Sequence, residues 1–424
     1  PDHLQVTTGK NQNERVLECA EILGGSLRLG ASVQSLDPEV LSNIKRKSIS
    51  TEKLIQVTKQ ANSLDSNSYS EVILGLPGDS KVKHFNTVLS LADAGLKFIP
   101  LYTLMMLEGT ELAKDEARKR WNLRSKYRVV FRCFGDYRFD GDELLSAELE
   151  EVCVQSDSLP YEDYLECRSM ALTMGLFYQD RILFELYAFL NNFGIKPSDV
   201  LKVLHERRMH LSDGITSLYR SYGDATHDEL WDSREELEAF TKSSKEVIQQ
   251  YVTGEFGNNV LFRHRAMAFL DLIDEVHKAA FGVAGELLEK TDPASREKYT
   301  AYLKELALYS ASRKSNVFDL EAEYAHEFSY DFPTLIANEF EGLPAMLDTP
   351  TKLSFYASEE TKGMIMFQQS VQGTDLNGTA KIVSRIPCAK LQRAVAFDGQ
   401  TGKSSVSRGG EFSGAARLSP GEFT

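Results

Sequence analysis

The sequence predicts an α/β fold over the first third of the chain, then a mainly α region, and finally a small β-rich C-terminal segment. Up to residue 140, apolar runs of strand length alternate with segments of helical spacing, which is typical of parallel sheets with crossover helices. Helical spacing then dominates residues 141–345. Short runs rich in β-branched and apolar residues return at residues 346–397, which favours strands there.

The composition is that of an ordinary globular chain. Its 424 residues are 42% hydrophobic and 26% charged, which allows two or three domains. The net charge of −14 argues against nucleic acid as a partner, because phosphate binding needs clustered lysines and arginines. No apolar run approaches the roughly 18 residues needed to span a membrane. Five scattered cysteines favour reduced thiols, and we therefore expect a cytoplasmic protein.

Four strand–turn–helix units are predicted within residues 1–140. The first reads HLQVTTGKN and then ERVLECAEILG, and the second begins with the strand LRLGASV. In the second unit, Asp37 is predicted as the helix N-cap, with Pro38 at the first helical position. The fourth unit has an apolar strand, a turn at Gly109 and Thr110, and a charged helix. Such a series predicts a parallel sheet with right-handed crossovers.

The third unit contains the most informative turn, SEVILGLPGD at residues 70–79. Residues 72–74 predict a buried parallel strand. The Gly-x-Pro-Gly sequence ends this strand abruptly and lets a ligand approach the backbone closely. Asp79 and Ser80 are predicted to cap the helix that follows. Because ligands of α/β folds bind at the carboxyl ends of strands, this turn marks a candidate site, although a tight strand–helix connection would also explain it.

Three motifs in series resemble the second half of the barrel in radical S-adenosylmethionine (radical SAM) enzymes. They are ASVQSLDPEVLSNIKR, SEVILGLPGD and LMMLEGTELA. The likeness is greatest for the branch that carries an N-terminal cobalamin-binding domain. It implies that residues 1–140 form the C-terminal half of a (β/α) radical-SAM-type barrel, which would make residues 141–345 a family-specific helical extension.

The resemblance also implies which residues bind S-adenosylmethionine. In the family, the strand that holds QS binds the ribose and carboxylate end, the glycine-rich strand lies beside the adenine, and the next strand closes over it. The matching positions are Ser32, Gln34, Ser35, Ile73, Gly75, Pro77, Gly78, Tyr102 and Leu104. Glu71 stands where the family has a first glycine, and Asp79 where it has a glutamate. Catalytic residues are not assigned by this likeness.

The cysteines depart from the family pattern. The family holds its [4Fe–4S] cluster with a C-x-x-x-C-x-x-C loop, and no two cysteines here are close enough in sequence to form it. The five are Cys19, Cys133, Cys153, Cys167 and Cys388. We therefore expect no metal site in this chain, with the cluster and cobalamin present only in a full-length protein. Its partner would be the missing N-terminal half of the same protein, preceding Pro1.

For that full-length protein the resemblance implies reductive cleavage of S-adenosylmethionine to a 5′-deoxyadenosyl radical. A cobalamin, where present, would add methyl transfer or a rearrangement on a small-molecule or other substrate that the sequence does not identify. The chain alone would be inactive. The alternative is a cluster-less binding or scaffolding protein, whose open sheet edge another chain would seal. A self-contained α/β enzyme of another kind is disfavoured, because no nucleophile, base and orienting partner are visible together.

The helical region is predicted as segments with recognisable starts and stops. A long helical segment is expected over residues 160–194, a short helix capped by Ser198, and a helix over residues 234–252 with Ser233 and Glu236 as a capping box. Further helices are expected over residues 258–290 and 292–311. Leu145, Leu149, Val152 and Cys153 are expected to line one helix face just after residue 140.

Two side-chain groups in this region allow two interpretations each. An aromatic stripe could form an apolar substrate pocket, but is more typical of a helix–helix core; it comprises Phe177, Tyr178, Phe184, Tyr187, Phe189 and Phe193. A titratable group could be an acid–base set, but a solvated helix face explains it as well; it comprises Glu321, Glu323, His326 and Glu327.

The C-terminal part is predicted to contain four short strands and a tail. KLSFYA, GMIMFQQSV, GTAKIVSRI and LQRAVAF are separated by turn sequences and predict a small antiparallel sheet over residues 346–397. Residues 398–424 have no apolar period and are rich in glycine and serine, which predicts a disordered tail.

Overall fold

A computed structural model describes residues 33–46 and 70–397, together with the isolated positions Arg15, Glu18, Cys19 and Ile22. Most of the predicted first unit, Ser32 and the predicted tail lie outside the described residues. The N-terminal elements are α1 (Pro38–Asn43), β1 (Val72–Leu74), α2 (Lys81–Asp93), β2 (Leu101–Thr103), α3 (Asp115–Trp121), β3 (Arg124–Phe139) and β4 (Asp142–Gln155).

The N-terminal sheet is parallel where the sequence predicts it. β1 pairs in parallel with β2, and Gln34 forms a parallel bridge to Val72 on the other side of β1. Beyond β2 the next strand of the sheet is antiparallel: Met105, which follows β2, forms an antiparallel bridge to Val152 of β4. The described residues thus form an open sheet in which β4 pairs with the segment after β2 at one edge. They contain no closed barrel.

The segment after β3 is a strand, so the predicted helix face there is wrong. β3 and β4 form a long antiparallel hairpin, with Asp140 and Gly141 at its turn, both at positive φ (51° and 90°). An Asp-Gly pair between two strands is a strong hairpin signal. Pairing with β3 overrides the helix propensity of the glutamates in this segment. Leu145, Leu149, Val152 and Cys153 all lie on β4.

Helices fill residues 161–312. They are α4 (Tyr161–Phe177), α5 (Phe184–Asn191), α6 (Pro197–Glu206), α7 (Asp213–Asp228), α8 (Arg234–Thr241), α9 (Lys245–Thr253), α10 (Val260–Asp271), α11 (Ile273–Thr291), α12 (Pro293–Lys298) and α13 (Thr300–Ser312). Short 3₁₀ turns lie at Gln179–Arg181 and Arg208–His210. Among the described residues, no helix has both the length and the apolar character needed to cross a membrane.

The long helix predicted over residues 160–194 is broken in two. Tertiary contacts fix the break: the Gln179 amide exchanges hydrogen bonds with the backbone of Ile99 (2.6 and 3.0 Å), and Arg265 donates to Asp180 (2.6 Å). Asp180 adopts a positive φ of 57° there, which a continuous helix does not allow.

Two predicted caps also need correction. The N-cap of α6 is Lys196 rather than Ser198, whose backbone and hydroxyl instead donate to Asp93 (2.9 and 2.8 Å). Ser233 caps α8 as predicted. The helix predicted over residues 234–252 ends early, because Ser244 caps a new helix, α9.

The C-terminal elements are β5 (Tyr324–Tyr330), α14 (Phe332–Ala337), β6 (Met346–Tyr356), α15 (Glu359–Gln372), α16 (Leu376–Arg385), α17 (Cys388–Leu391) and β7 (Ala394–Phe397). The three strands form an antiparallel sheet in the order β5–β6–β7. KLSFYA lies in β6 and the end of LQRAVAF in β7, as predicted.

GMIMFQQSV and GTAKIVSRI are helical, in α15 and α16, so these two strand predictions are wrong. Ser358 and Asp375 cap the two helices by accepting hydrogen bonds from the amides of Thr361 and Gly378. These N-terminal caps outweigh the β propensity of the apolar residues. The region to residue 345 is also not all helical, since β5 carries His326 and Glu327. The titratable group therefore lies partly in the loop before β5 and partly on β5.

One hydrophobic core joins the parallel sheet to the helices. Val72 of β1 belongs to the same buried cluster as Phe177 of α4 and Val276 of α11. Phe177 and Phe189 are fully buried, and the other four aromatic residues of the stripe pack against this core. The stripe is therefore a helix–helix core rather than an open pocket.

Candidate functional site

The predicted site residues that the structure describes lie together at the carboxyl end of the parallel strands. The Gln34 amide donates to Glu71 O (2.8 Å), and the Ile73 amide donates back to Gln34 O (3.0 Å). Ile73 is the register partner of Tyr102, and the Leu104 amide donates to Leu74 O (2.9 Å). Three successive chain segments thus contribute neighbouring side chains to one edge of the sheet.

The end of the first segment is a tight polar turn. Gln34 adopts a positive φ of 60°, which few residues other than glycine tolerate. The buried Ser35 hydroxyl accepts a hydrogen bond from the Asp37 amide (3.1 Å). Asp37 in turn accepts from the amides of Glu39 and Val40 (3.0 Å each) and so caps α1. The predicted cap, with Pro38 beginning the helix, is confirmed.

The glycine-rich turn is packed against the protein itself. Gly75 and Gly78 both have positive φ (87° and 81°). A Cβ at Gly78 would lie 2.6 Å from Asn43 Nδ2, which donates to Pro77 O (3.0 Å). A Cβ at Gly75 would lie 3.5 Å from Cys153 O of β4. The positive φ angles of both glycines and the close approach of Asn43 to Gly78 explain the glycines without a ligand, whereas the contact at Gly75 is an ordinary van der Waals contact.

Asp79 closes this turn rather than capping the next helix. Its carboxylate is almost fully buried and accepts hydrogen bonds from the amides of Gly75 (3.4 Å) and Ser80 (2.9 Å). The Ser158 hydroxyl donates to Asp79 O (2.6 Å), which ties the turn to the segment before α4. Ser80 is the N-cap of α2, as predicted. The acidic residue that departs from the family pattern therefore shapes the turn.

Lys83 holds two successive units together at this edge and was not anticipated from the sequence. Its ammonium lies 2.6 Å from Glu39 Oε2 and 3.4 Å from Asp37 Oδ1, and donates to Gly78 O (3.0 Å). Burial lowers the pKa of Lys83, but the hydrogen bond to Glu39 and the charge of Asp37 outweigh it, so the pKa is raised. Lys83 and Glu39 are 44 positions apart in the sequence, so no local sequence pattern indicates their contact.

The two faces of the sheet differ sharply. Val72 and Leu74 are buried in clusters with residues of α2 and α4. Register partners in a parallel pair share a face, so Ile73 and Tyr102 lie together on the other one. Ile73 is half-buried, and Tyr102 is 54% exposed. Ile73 packs at the margin of a second buried cluster, which includes Val40 and Leu104, so Tyr102 is the more accessible of the two side chains beside the backbone of Gln34.

The cysteines do not fit an iron–sulfur cluster. Cys19 and Cys133 are exposed, whereas Cys153, Cys167 and Cys388 are buried. Burial raises the pKa of Cys153 to about 11 and that of Cys388 to about 12, whereas cluster ligands are thiolates. In the part of the chain that the structure describes, no three histidine, cysteine or acidic side chains are grouped as a metal site would need.

Comparison with known proteins gives two distant relatives, and no family model matches the chain. The chain is 26% identical over 170 residues to the cobalamin-dependent radical SAM methyltransferase TokK of Streptomyces tokunonensis. It is 26% identical over 171 residues to the 2-(S-pantetheinyl)-carbapenam-3-carboxylate methyltransferase of Streptantibioticus cattleyicolor. Each match covers 39% of this chain and 24% of the relative, so it spans about a quarter of the relatives' length. The similarity supports a radical-SAM-like family, as the motifs imply.

Proposed function

We propose that this chain provides one side of the S-adenosylmethionine pocket of a radical SAM enzyme. The observation that carries the proposal is the placement of Ile73 and Tyr102, side by side on one face of the sheet next to Gln34, with Tyr102 54% exposed. An aromatic ring and an aliphatic side chain beside backbone polar groups suit a purine nucleoside, which presents a flat π face and polar edges. The two distant relatives support the same family.

The chain's own residues would bind and orient the nucleoside. Tyr102 and Ile73 would pack against the adenine, and the turn at Gln34 and Ser35 would lie near the ribose. Asp79 and Lys83 would keep the neighbouring turns in place through their hydrogen bonds. S-adenosylmethionine supplies the reactive adenosyl group in this family, and cobalamin supplies methyl-transfer chemistry in the branch that carries it.

The [4Fe–4S] cluster and cobalamin would be held outside this chain, by the missing N-terminal half of the same protein. The buried, high-pKa thiols and the separation of the cysteines support this division. We propose that the chain alone does not cleave S-adenosylmethionine. Its substrate would be a small molecule, and methyl transfer is the reaction that the names of the two relatives suggest.

Equilibrium dialysis with radiolabelled S-adenosylmethionine tests the pocket. Tyr102→Ala should weaken binding about tenfold, because stacking of a base on an aromatic ring contributes roughly 1–3 kcal/mol. Tyr137→Ala is the matched control, because Tyr137 is equally exposed (55%) but lies on the β3–β4 hairpin. Equal effects of the two substitutions, or no saturable binding by the unmodified chain, would contradict the proposal.

The reading frame upstream of Pro1 gives an independent test. A continuous frame that carries C-x-x-x-C-x-x-C would support the radical enzyme. A start codon close to Pro1 without that loop would favour the second candidate, a cluster-less binding or scaffolding protein. The observation in favour of this candidate is that contacts within the protein already explain the glycine-rich turn.

A further inference from the structure

A groove of about 430 Å³ lies between α11 and α13, away from the parallel sheet. Its volume is within the range of small-molecule sites. Apolar side chains line its interior, among them Phe281, Leu303, Ala307 and Ala311. The two alanines leave room above α13 that larger side chains would fill. The groove can therefore accept a compact apolar body.

The polar lining of this groove is mainly cationic. Lys278, Arg296 and Lys304 line it together with one carboxylate, Asp274. Asp274 accepts a hydrogen bond from the Ser315 hydroxyl (3.2 Å), and Arg296 donates to Thr300 Oγ1 (2.7 Å). Within the described residues, none of the three cations lies within 4 Å of a carboxylate oxygen. A local excess of positive charge is notable in a chain with a net charge of −14 and favours an anion.

His277 gives the groove a flat, uncharged wall. Its Nδ1 donates to Ile273 O (2.7 Å), because a carbonyl can only accept, and its Nε2 lies 3.0 Å from the Ser310 hydroxyl. Burial, together with the charge of Lys314, lowers the pKa of His277 to about 4. The neutral ring lies nearly parallel to Phe281, with centroids 6.3 Å apart and 14° between the planes. His277 is only 2% exposed, so it supports the wall that Phe281 presents and adds no charge there.

We propose that this groove binds a small amphipathic organic anion, with a flat apolar body and a carboxylate, sulfonate or phosphate group. The apolar body would lie on Ala307 and Ala311 against the His277–Phe281 wall. The acidic group would face Lys278, Arg296 and Lys304. This site is independent of the proposed S-adenosylmethionine pocket, since no residue is shared between them.

Fluorescence titration with two matched dyes tests this proposal. The probe is 8-anilinonaphthalene-1-sulfonate, and the control is N-phenyl-1-naphthylamine, which has the same rings without the sulfonate. Lys278→Gln combined with Lys304→Gln should weaken saturable sulfonate binding about tenfold and leave the neutral dye unchanged. Lys290→Gln combined with Lys298→Gln removes the same charge outside the groove lining and should change neither dye. Equal effects of the two double variants, or no saturable sulfonate binding, would overturn the proposal.

A third variant tests the apolar interior. Ala307→Trp should fill the groove and abolish binding of both dyes, with circular dichroism confirming that the helices are retained. The lysine variants alter exposed side chains and keep the test valid if this tryptophan variant fails to fold. Tyr102→Ala should leave dye binding unchanged, and the Lys278/Lys304 double variant should leave S-adenosylmethionine binding unchanged. The failure of either proposal is thus distinguishable from the failure of the other.

Discussion

Two glycines with almost the same backbone angle meet different surroundings. Gly78 has a φ of 81° and Gly95 a φ of 78°, so an alanine at either position is strained. A Cβ at Gly78 would lie 2.6 Å from Asn43 Nδ2, whereas a Cβ at Gly95 would meet nothing within 4 Å. The difference between the two positions therefore isolates the contact with Asn43 from the backbone strain.

We expect Gly95→Ala to lower the free energy of unfolding by about 1 kcal/mol, the ordinary effect of a non-glycine residue in this region. Gly78→Ala should lower it by about 2 kcal/mol or more, because Asn43 must also leave Pro77 O. Urea unfolding of both variants under one set of conditions measures the difference. Equal losses would show that Asn43 moves away without cost.

The buried His277 should make stability depend on pH. Its pKa is lowered to about 4, first by burial and then by Lys314, whereas an unfolded histidine titrates near 6.5. Between these values the unfolded chain binds a proton that the folded protein does not. Stability is therefore fully present above pH 6.5 and is lost as the pH falls toward 4, by about 2 kcal/mol between pH 7.5 and 5.

His277→Gln removes this titrating group. The free energy of unfolding should then fall by about 2 kcal/mol less between pH 7.5 and pH 5 than it does in the unmodified protein. The comparison is between urea unfolding free energies of the two proteins at pH 7.5 and pH 5. The pKa values of His205 and His264 are also lowered, and they remain in both proteins, so their contribution cancels. If the unfolding free energy changed equally with pH in the two proteins, a neutral, buried His277 would be contradicted.

At the scale of elements, local capping signals predict some helix starts, and side-chain contacts between distant segments are not visible in the sequence. Asp37 and Ser80 cap α1 and α2 where the sequence places them. The apolar spacing of residues 145–153 predicts a helix face, whereas pairing with β3 in the hairpin makes this segment part of β4. The break before α5 depends on Arg265 and Ile99, which are distant in sequence.

A buried ion pair links α5 to the end of α13. Lys314 lies 3.1 Å from Glu185 and donates to Ser310 (2.7 Å), and both charged side chains are almost completely buried. Burial lowers the pKa of Lys314. Burial also acts to raise the pKa of Glu185, but the charges of Lys314 and Arg313 and the hydrogen bonds to the carboxylate together outweigh it, so the pKa of Glu185 is lowered. The carboxylate is therefore ionised at neutral pH, and each charge depends on the other.

Lys314→Met should destabilise the protein by about 3–5 kcal/mol, because it leaves a buried carboxylate without its partner. Glu185→Leu combined with Lys314→Met should recover much of that loss, because apolar side chains of similar volume replace both charges. Thermal and urea unfolding of the single and double variants give the coupling free energy between Glu185 and Lys314. A double variant less stable than the single one would show that the network with Ser310 and His277 is needed as a whole.

At the scale of the whole molecule, the strand order predicted from the sequence brings the candidate residues together but does not show which other segments pack around them. Parallel strands with their turns at one edge bring Gln34, Ile73 and Tyr102 together by topology alone. The closing of this edge by β4 depends on a hairpin that the sequence did not predict. The Lys83 ion pairs and the groove between α11 and α13 depend on side chains that only the fold brings together.

The arrangement of all five cysteines gives the last prediction, which concerns the chain as a whole. Cys19 and Cys133 are exposed and the other three are buried, so two thiols should react with a disulfide reagent in the folded protein and five after unfolding. After anaerobic incubation with ferrous iron and sulfide, followed by desalting, we expect almost no iron to remain bound. Cluster ligands must be thiolates held close together, and burial keeps the pKa of Cys153 near 11. Retention of about four irons per chain, with loss of the two reactive thiols, would show instead that this chain can assemble a cluster without the proposed N-terminal half.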